Sequence, residues 1–538
     1  MLKENIARWE ILFIQYLKRD WKKIIFWILG VGLFSAAYVP AFVEIAKGDG
    51  ARGMYEVMQN PAMTAMVGPT PVESGSDYTV GAMYAHTMVL FCGLIAMAVS
   101  MLHVAGHTRG EEEDGLTELI RSFQIGRQAN SFAVTVETVF INILLALFIG
   151  GVMVSFGADT ITTEGSFLFA ATVGAAGIIG IAIALLLAQI MPTAAGAKGA
   201  SLGLMGLMYI IRAGTDVSNV DLSMVNPLGW TYLTNPFTEN NGMPLLYAFL
   251  FTGALVLIAY TLEGSRDMGA GYLPRREGRG KAKESLLSVQ GLLLRINKGL
   301  VISWLVAFVL LGAAYGSIYG DMQAFIESNE LISQMFLHSE VSLEESFTST
   351  IMMVLIILVS ILPIAMVNKL YASENGLYLS QLYATKVTRA RFYWTNIALA
   401  TAAGILGILV AAGGLGITAI TVMDQNNTME IMDFLAAGFN FLPSVLFFIG
   451  FSALLLGWVP KLGKLVYVYL IYSFFLNYFE GILDLPEWFL NTAVQSWIPR
   501  MPMESFELIT FTVLTLISLS FMGIGYIGYK GRDLDERA

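Results

Sequence analysis

Ionisable side chains are scarce in this chain, and they gather in a few short segments. The densest runs Glu112-Glu113-Asp114-Gly115-Leu116-Thr117-Glu118-Leu119-Ile120, with Arg109 before it and Arg121, Ser122 and Arg127 after it. Acids at the start and arginines toward the end suit the poles of a short helix. Leu116, Leu119 and Ile120 give that helix an apolar face. The segment is too short and too charged to cross a bilayer, so the chemistry it offers is recognition. A second copy reads Ser373-Glu374-Asn375-Gly376-Leu377-Tyr378-Leu379 and ends in Thr388-Arg389. Each copy lies between two long apolar runs, so anything that pushes it moves both.

The remaining polar groups lie inside apolar runs, where they are costly unless paired or functional. Glu137, Asn142, Asn396 and Asn477 are candidates for a transport pathway or for contacts between helices. Glu137 falls near the end of its run, within reach of His103 or His107. Two neutral histidines four residues apart make a poor metal site without a third ligand. Cys92 is the only cysteine, which leaves no internal disulfide and no thiolate cluster. No Gly-x-x-x-x-Gly-Lys-Ser/Thr phosphate loop occurs, nor a His-Glu-x-x-His or Gly-x-Ser-x-Gly context. The chain itself is therefore expected to be no enzyme, with no catalytic, metal or cofactor-binding residues.

The elements that must position these groups are apolar. Of 538 residues, 56% are hydrophobic and 13% charged, and mean hydropathy is +0.66; a soluble domain carries about 25% charged residues. Runs long enough for a spanning helix occur at 24–43, 83–105, 132–156, 166–190, 199–213, 243–262, 299–319, 347–368, 392–419, 433–457, 464–480 and 506–527. No small-residue cleavage site follows the first, which reads as a retained span and not a signal peptide. These predict an all-α polytopic protein with about 12 spans. Starting inside, they leave 27 of the 31 Lys and Arg on the cytoplasmic side, and only Lys47, Arg52, Arg212 and Arg500 outside. Both termini are then cytoplasmic. The net charge of −10 argues against nucleic acid as a partner.

The two halves follow one plan. Asn5–Lys23 and the stretch after Lys281 mix basic and apolar residues, as an amphipathic helix does that lies on the inner membrane surface and then turns into a span. Met268-Gly269-Ala270-Gly271-Tyr272 closes the first half much as Met522-Gly523-Ile524-Gly525-Tyr526 closes the second. Met224–Trp230 and Asn235-Pro236 match Leu485–Trp488 and Ser496–Pro499 as short outer segments with interfacial tryptophans. The expected division is a first core at 1–262, a linker at 263–284, a second core at 285–530 and a tail at 531–538. Six spans per half give two parallel repeats.

With its two Glu-x-Gly segments between spans, the chain resembles the membrane subunits of ABC-2-type exporters (the type V arrangement), in the fused two-core form grouped with exporters of polyketide antibiotics. In that family the segment is the coupling helix that docks on the ATPase. The resemblance carries this role to Glu113, Gly115, Leu116, Glu118, Leu119 and Arg127, and to Glu374, Gly376, Leu377 and Arg389. The second copy departs from the pattern: Leu379 stands where Glu118 would and Ser380 where Leu119 would, which leaves Leu377 and Leu379 to supply more of that contact. The resemblance further implies two cytoplasmic ATPase subunits holding ATP and Mg, an amphipathic small-molecule or peptide-like cargo, and a bacterial cell membrane as the location. An ion-coupled secondary transporter and a membrane sensor or scaffold remain alternative readings.

Overall fold

A computed structural model describes residues 2–48, 50–274, 278, 280–321, 342–376, 378–423, 429–478 and 486–533. Regular structure among them is helical throughout. Eleven of these helices are long and apolar enough to cross a membrane. Phe26, Leu250 and Ile509 are 73%, 64% and 73% exposed; large apolar side chains turned outward in such helices need lipid, not water, as their solvent. The chain is an all-α multi-pass membrane protein. It forms two compact units, Met1–Gly278 and Arg279–Ala538.

In the first unit the long helices are α1 (Trp9–Ala36), α2 (Val80–Ala105), the short α3 (Leu116–Arg121), α4 (Ala129–Ser155), α5 (Thr163–Ile190), α6 (Ala194–Ser218) and α7 (Met243–Ser265). Threonines start three of them: Thr79, Thr162 and Thr193 each accept a backbone N–H three residues on, the N-cap role of a short hydroxyl side chain. Helix α5 is the axis, packed against α2, α4 and α7, while α1 packs on α4. A Cβ on Gly177 would collide with the Asn142 side chain, so glycine is what lets α5 approach α4 there.

The second unit contains α8 (Val289–Gly316), α9 (Leu343–Asn375), the short α10 (Tyr378–Tyr383), α11 (Arg389–Val422), α12 (Ile431–Asn440), α13 (Leu442–Trp458), α14 (Leu465–Tyr478) and α15 (Leu508–Gly531). Here α8 packs on α11, α9 on α11 and α13, and α13 on α15. A close approach occurs between α13 and α15, where a Cβ on Gly457 would strike the Gly525 carbonyl.

Several expectations need correction. The amphipathic start does not turn before the first span: α1 is one continuous helix of 28 residues, since nothing from Trp9 to Leu29 breaks it. Likewise α8 runs unbroken from Val289 through Gly316. The run at 199–213 is a span as expected, with only its bounds widened, since it belongs to the 25-residue helix α6, which is long and apolar enough to cross. The run at 433–457 is two helices that meet at Phe441, with Pro443 in the first turn of the second; proline is tolerated there because its missing N–H has no helical partner to lose. Met268–Tyr272 lies beyond α7, whereas Met522–Tyr526 is inside α15, so the two glycine motifs are not structural equivalents.

Candidate functional site

The basic residues of the first unit gather at the end of the bundle where α1 begins and α2 finishes. Helix α2 passes through one π-turn at Gly106–Gly110 and ends at Glu111–Glu113. Gly115 then takes a left-handed φ of +75°, which a side chain would disfavour, and α3 follows for six residues. Thr117 points inward. Leu116, Leu119 and Phe123 point outward, Leu119 and Phe123 being 61% and 65% exposed, and Glu113 and Glu118 are exposed beside them. Glu113 also accepts the Ala194 N–H at the start of α6, at 2.9 Å. Five exposed residues, three apolar and two acidic, thus lie on one connector between two spans.

Glu112 points the other way. Arg266, just beyond α7, donates to both of its oxygens at 2.7 Å. Arg109, fully buried, adds a contact at 2.8 Å and also donates to the Pro192, Gly269 and Ala270 carbonyls. The second unit repeats the pairing: Arg532, just beyond α15, donates to both oxygens of Glu374 at 2.5 and 2.6 Å. Arg127 donates to the backbone carbonyl of Arg266 at 2.6 Å, and Arg389 to that of Arg532 at 2.5 Å.

These contacts alter the expected roles. By its partner, Glu374 corresponds to Glu112 and not to Glu113; its carboxylate is buried, not offered to a docking subunit. Arg127, itself exposed, holds the carbonyl just beyond α7, and Arg389 bonds carbonyls at and just beyond the end of α15. Gly376 has φ −79°, so it is not the conformational counterpart of Gly115. Leu379 is buried, and Tyr378 is the large side chain turned outward. Leu377 lies outside the described residues. The reason is register: shifting an acid by one position on a helix turns it about 100°, which moves it from the surface to the interior.

Beside α3, a polar network ties α1 to α2 and α4. The Tyr16 hydroxyl donates to Glu111 at 2.9 Å and contacts Asn130. Arg19 reaches Glu111 at 2.5 Å, and His107 lies 2.8 Å from Glu111 and 3.2 Å from Asp20. Deeper in the span, His103 Nε2 lies 3.2 Å from Glu137. Asn142 donates to Ser100 at 3.0 Å, on a narrow cleft lined also by Trp27, Val31 and Leu145. In the second unit Asn396 is buried in α11, and Asn477 bonds the Ser473 carbonyl and accepts from Ser496 at 3.1 Å. The four candidates are thus divided: Glu137 and Asn142 belong to the first unit, Asn396 and Asn477 to separate helices of the second.

At the opposite end of the first unit, Arg212 and Asp216 form a fully buried pair at 2.7 Å. Arg212 also donates to the Ala65 and Met66 carbonyls, and Asp216 accepts from Ser223 and Tyr232. Burial, aided by the bond to Asp216, pushes the Tyr232 hydroxyl up and keeps it a neutral donor. Trp230 Nε1 donates to the Met224 carbonyl at 2.7 Å, and Trp497 Nε1 to that of Asn491 at 2.8 Å. Each tryptophan therefore bonds the carbonyl six residues before it, making Trp497 the counterpart of Trp230. Arg109 and Glu112 are visible in the sequence only as part of the dense ionisable segment, and Glu111, Arg266, Arg532 and the Arg212–Asp216 pair do not stand out there. An arginine just past the last apolar run of each half is the one signal there.

Residues 286–530 match the family model described as the C-terminal domain of the multidrug efflux system permease Rv1217c. The whole chain is similar to the multidrug efflux system permease protein Rv1217c of Mycobacterium tuberculosis. The two are 26% identical over 532 residues, covering 96% of this chain and 94% of that protein.

Proposed function

We propose that this chain is the membrane permease of a bacterial efflux system, driven by separate ATP-hydrolysing subunits that dock at its basic end. The observation that carries the reading is the patch of Leu116, Leu119 and Phe123 bordered by Glu113 and Glu118. Because it lies on a short, charged connector that joins two spans, we read it as apolar surface outside the bilayer. Exposed apolar clusters with a polar rim mark protein contacts, and a contact made here acts on both spans. The efflux role in the name of the similar mycobacterial permease supports the same reading. We assign ATP and Mg to the partner subunits, the basic end and both termini to the cytoplasm, and amphipathic or hydrophobic compounds to the cargo. The ABC-2-type resemblance supports each of these assignments.

The two docking faces are unequal. The first offers three exposed apolar side chains and two acids; the second turns Tyr378 outward while Glu374 and Leu379 face in. Co-purification of an ATPase with the tagged chain in nanodiscs, followed by cargo-stimulated ATP turnover, tests the reading. Failure of any ATPase to associate under several mild conditions would count against it and favour an ion-driven carrier.

A further inference from the structure

In both units the last span is separated from the inner connector by well over a hundred residues, yet a two-point ion pair joins them. Arg266, the first residue after α7, meets Glu112 through Nη1–Oε1 and Nη2–Oε2. Arg532, the first residue after α15, meets Glu374 through the same two atom pairs. A paired guanidinium–carboxylate contact fixes orientation as well as distance. Glu112 and Glu374 are largely withdrawn from solvent, with side chains 7% and 1% exposed, so breaking either pair removes a two-point partner from a buried carboxylate. A second bond closes each clasp: the arginine that ends the connector, Arg127 or Arg389, holds the backbone carbonyl of the clasping arginine. The same four-part arrangement thus occurs twice, on different local sequence. In the first unit Gly269 N–H and Arg109 add further bonds to Glu112, and Arg266 Nε donates to Gln189 at the end of α5 at 2.6 Å.

We infer that Arg266 and Arg532 are positioning residues that make the last span of each unit move with its inner connector. A displacement of the connector is then delivered to three spans: the two it joins by the chain, and the last one through the clasp. The source of the displacement rests on the function proposed above; the link itself does not.

The test uses the full chain in nanodiscs with Cys92→Ser as background. Spin labels at Gln381 and Ile527 report on the connector and last span of the second unit without any ATPase present. Arg532→Gln should broaden their distance distribution. With the ATPase bound, the same variant should keep docking and hydrolysis within about twofold while transport per ATP falls about tenfold, within the usual range of coupling energies. Arg266→Gln should do the same for the first unit. Because either variant could simply fold poorly, a third carries Glu374→Cys and Arg532→Cys, joined by a bis-maleimide. Cross-linking should restore most of the transport per ATP, which a purely electrostatic or folding role would not do. An unchanged distance distribution in Arg532→Gln overturns the link. A broadened one with normal transport per ATP overturns the delivery. If no ATPase binds the unmutated chain, the proposed function fails and delivery falls with it, while the spin labels still decide the link.

Discussion

Glu137 and His103 meet at 3.2 Å with neither side chain reaching the surface, on α4 and α2 of the first unit. Trp27 packs edge-on against the His103 ring at 5.1 Å, and His107 stands over it at 4.2 Å. The groups facing the pair include the side chains of Trp27 and His107, and a role in holding α2 to α4 is the expectation for Glu137.

Glu137→Ala is therefore expected to lower thermal stability, because an unpartnered buried polar group costs about 1–3 kcal/mol. Glu137→Gln keeps the shape and one hydrogen bond and should fall between Ala and the parent. Transport per folded molecule should stay close to the parent in both. Fluorescence-detected size exclusion after heating, paired with transport in vesicles, measures this. Normal melting with altered cargo-stimulated turnover would instead make Glu137 a cargo or ion contact.

At the docking face, Leu119→Ala should weaken ATPase binding most among single changes. If Leu119 becomes fully buried in the complex, about 1.5–3 kcal/mol of transfer energy is lost, roughly a ten- to hundredfold rise in Kd. The Glu113→Ala, Glu118→Ala double variant should add a smaller loss that shrinks with salt, as exposed ion pairs do. Tyr378→Ala should cost less than Leu119→Ala, and Ser380→Ala nothing. Binding titrations in nanodiscs read each value; equal effects at Leu119 and Tyr378 would refute the inequality of the two faces.

The Arg212–Asp216 pair fastens α6 to the connector before α2 and to the segment around Tyr232. Asp216→Ala leaves a buried guanidinium uncompensated, a loss of about 3–5 kcal/mol. Removing both charges with Arg212→Met and Asp216→Leu should recover much of that stability. If Asp216→Ala melted at the parent temperature, the pair would not be the fastening described.

Orientation is tested by cysteines at Ser122 and Gln381, proposed to be cytoplasmic, and at Ser76 and Asn491, proposed to be outside, after Cys92→Ser. An impermeant maleimide added to intact cells should label only the second pair. Labelling of Ser122→Cys from outside would reverse the assignment of the termini to the cytoplasm.

The membrane class is legible in the amino-acid sequence itself, because the length and hydropathy of Val80–Ala105 or Thr163–Ile190 leave no soluble alternative. The short connectors between spans are legible too, since Glu112–Glu118 and Glu374 interrupt apolar runs. What the sequence does not decide is which way each charge faces. Glu111, Glu112 and Glu113 are neighbours in the chain, yet they face respectively the α1 network, Arg266 and the surface with the start of α6. Helical rotation spreads adjacent side chains around the axis, and the partner that claims each one comes from a distant helix. Aligning Glu113 with Glu374 by their glycines follows local spacing and fails for that reason. Apolar length is a local property, so it survives in sequence. The pairing of Arg266 with Glu112 and of Arg532 with Glu374 depends on where packing of the last span, on α5 in the first unit and on α13 in the second, carries the arginine beyond it, and only the tertiary fold decides that.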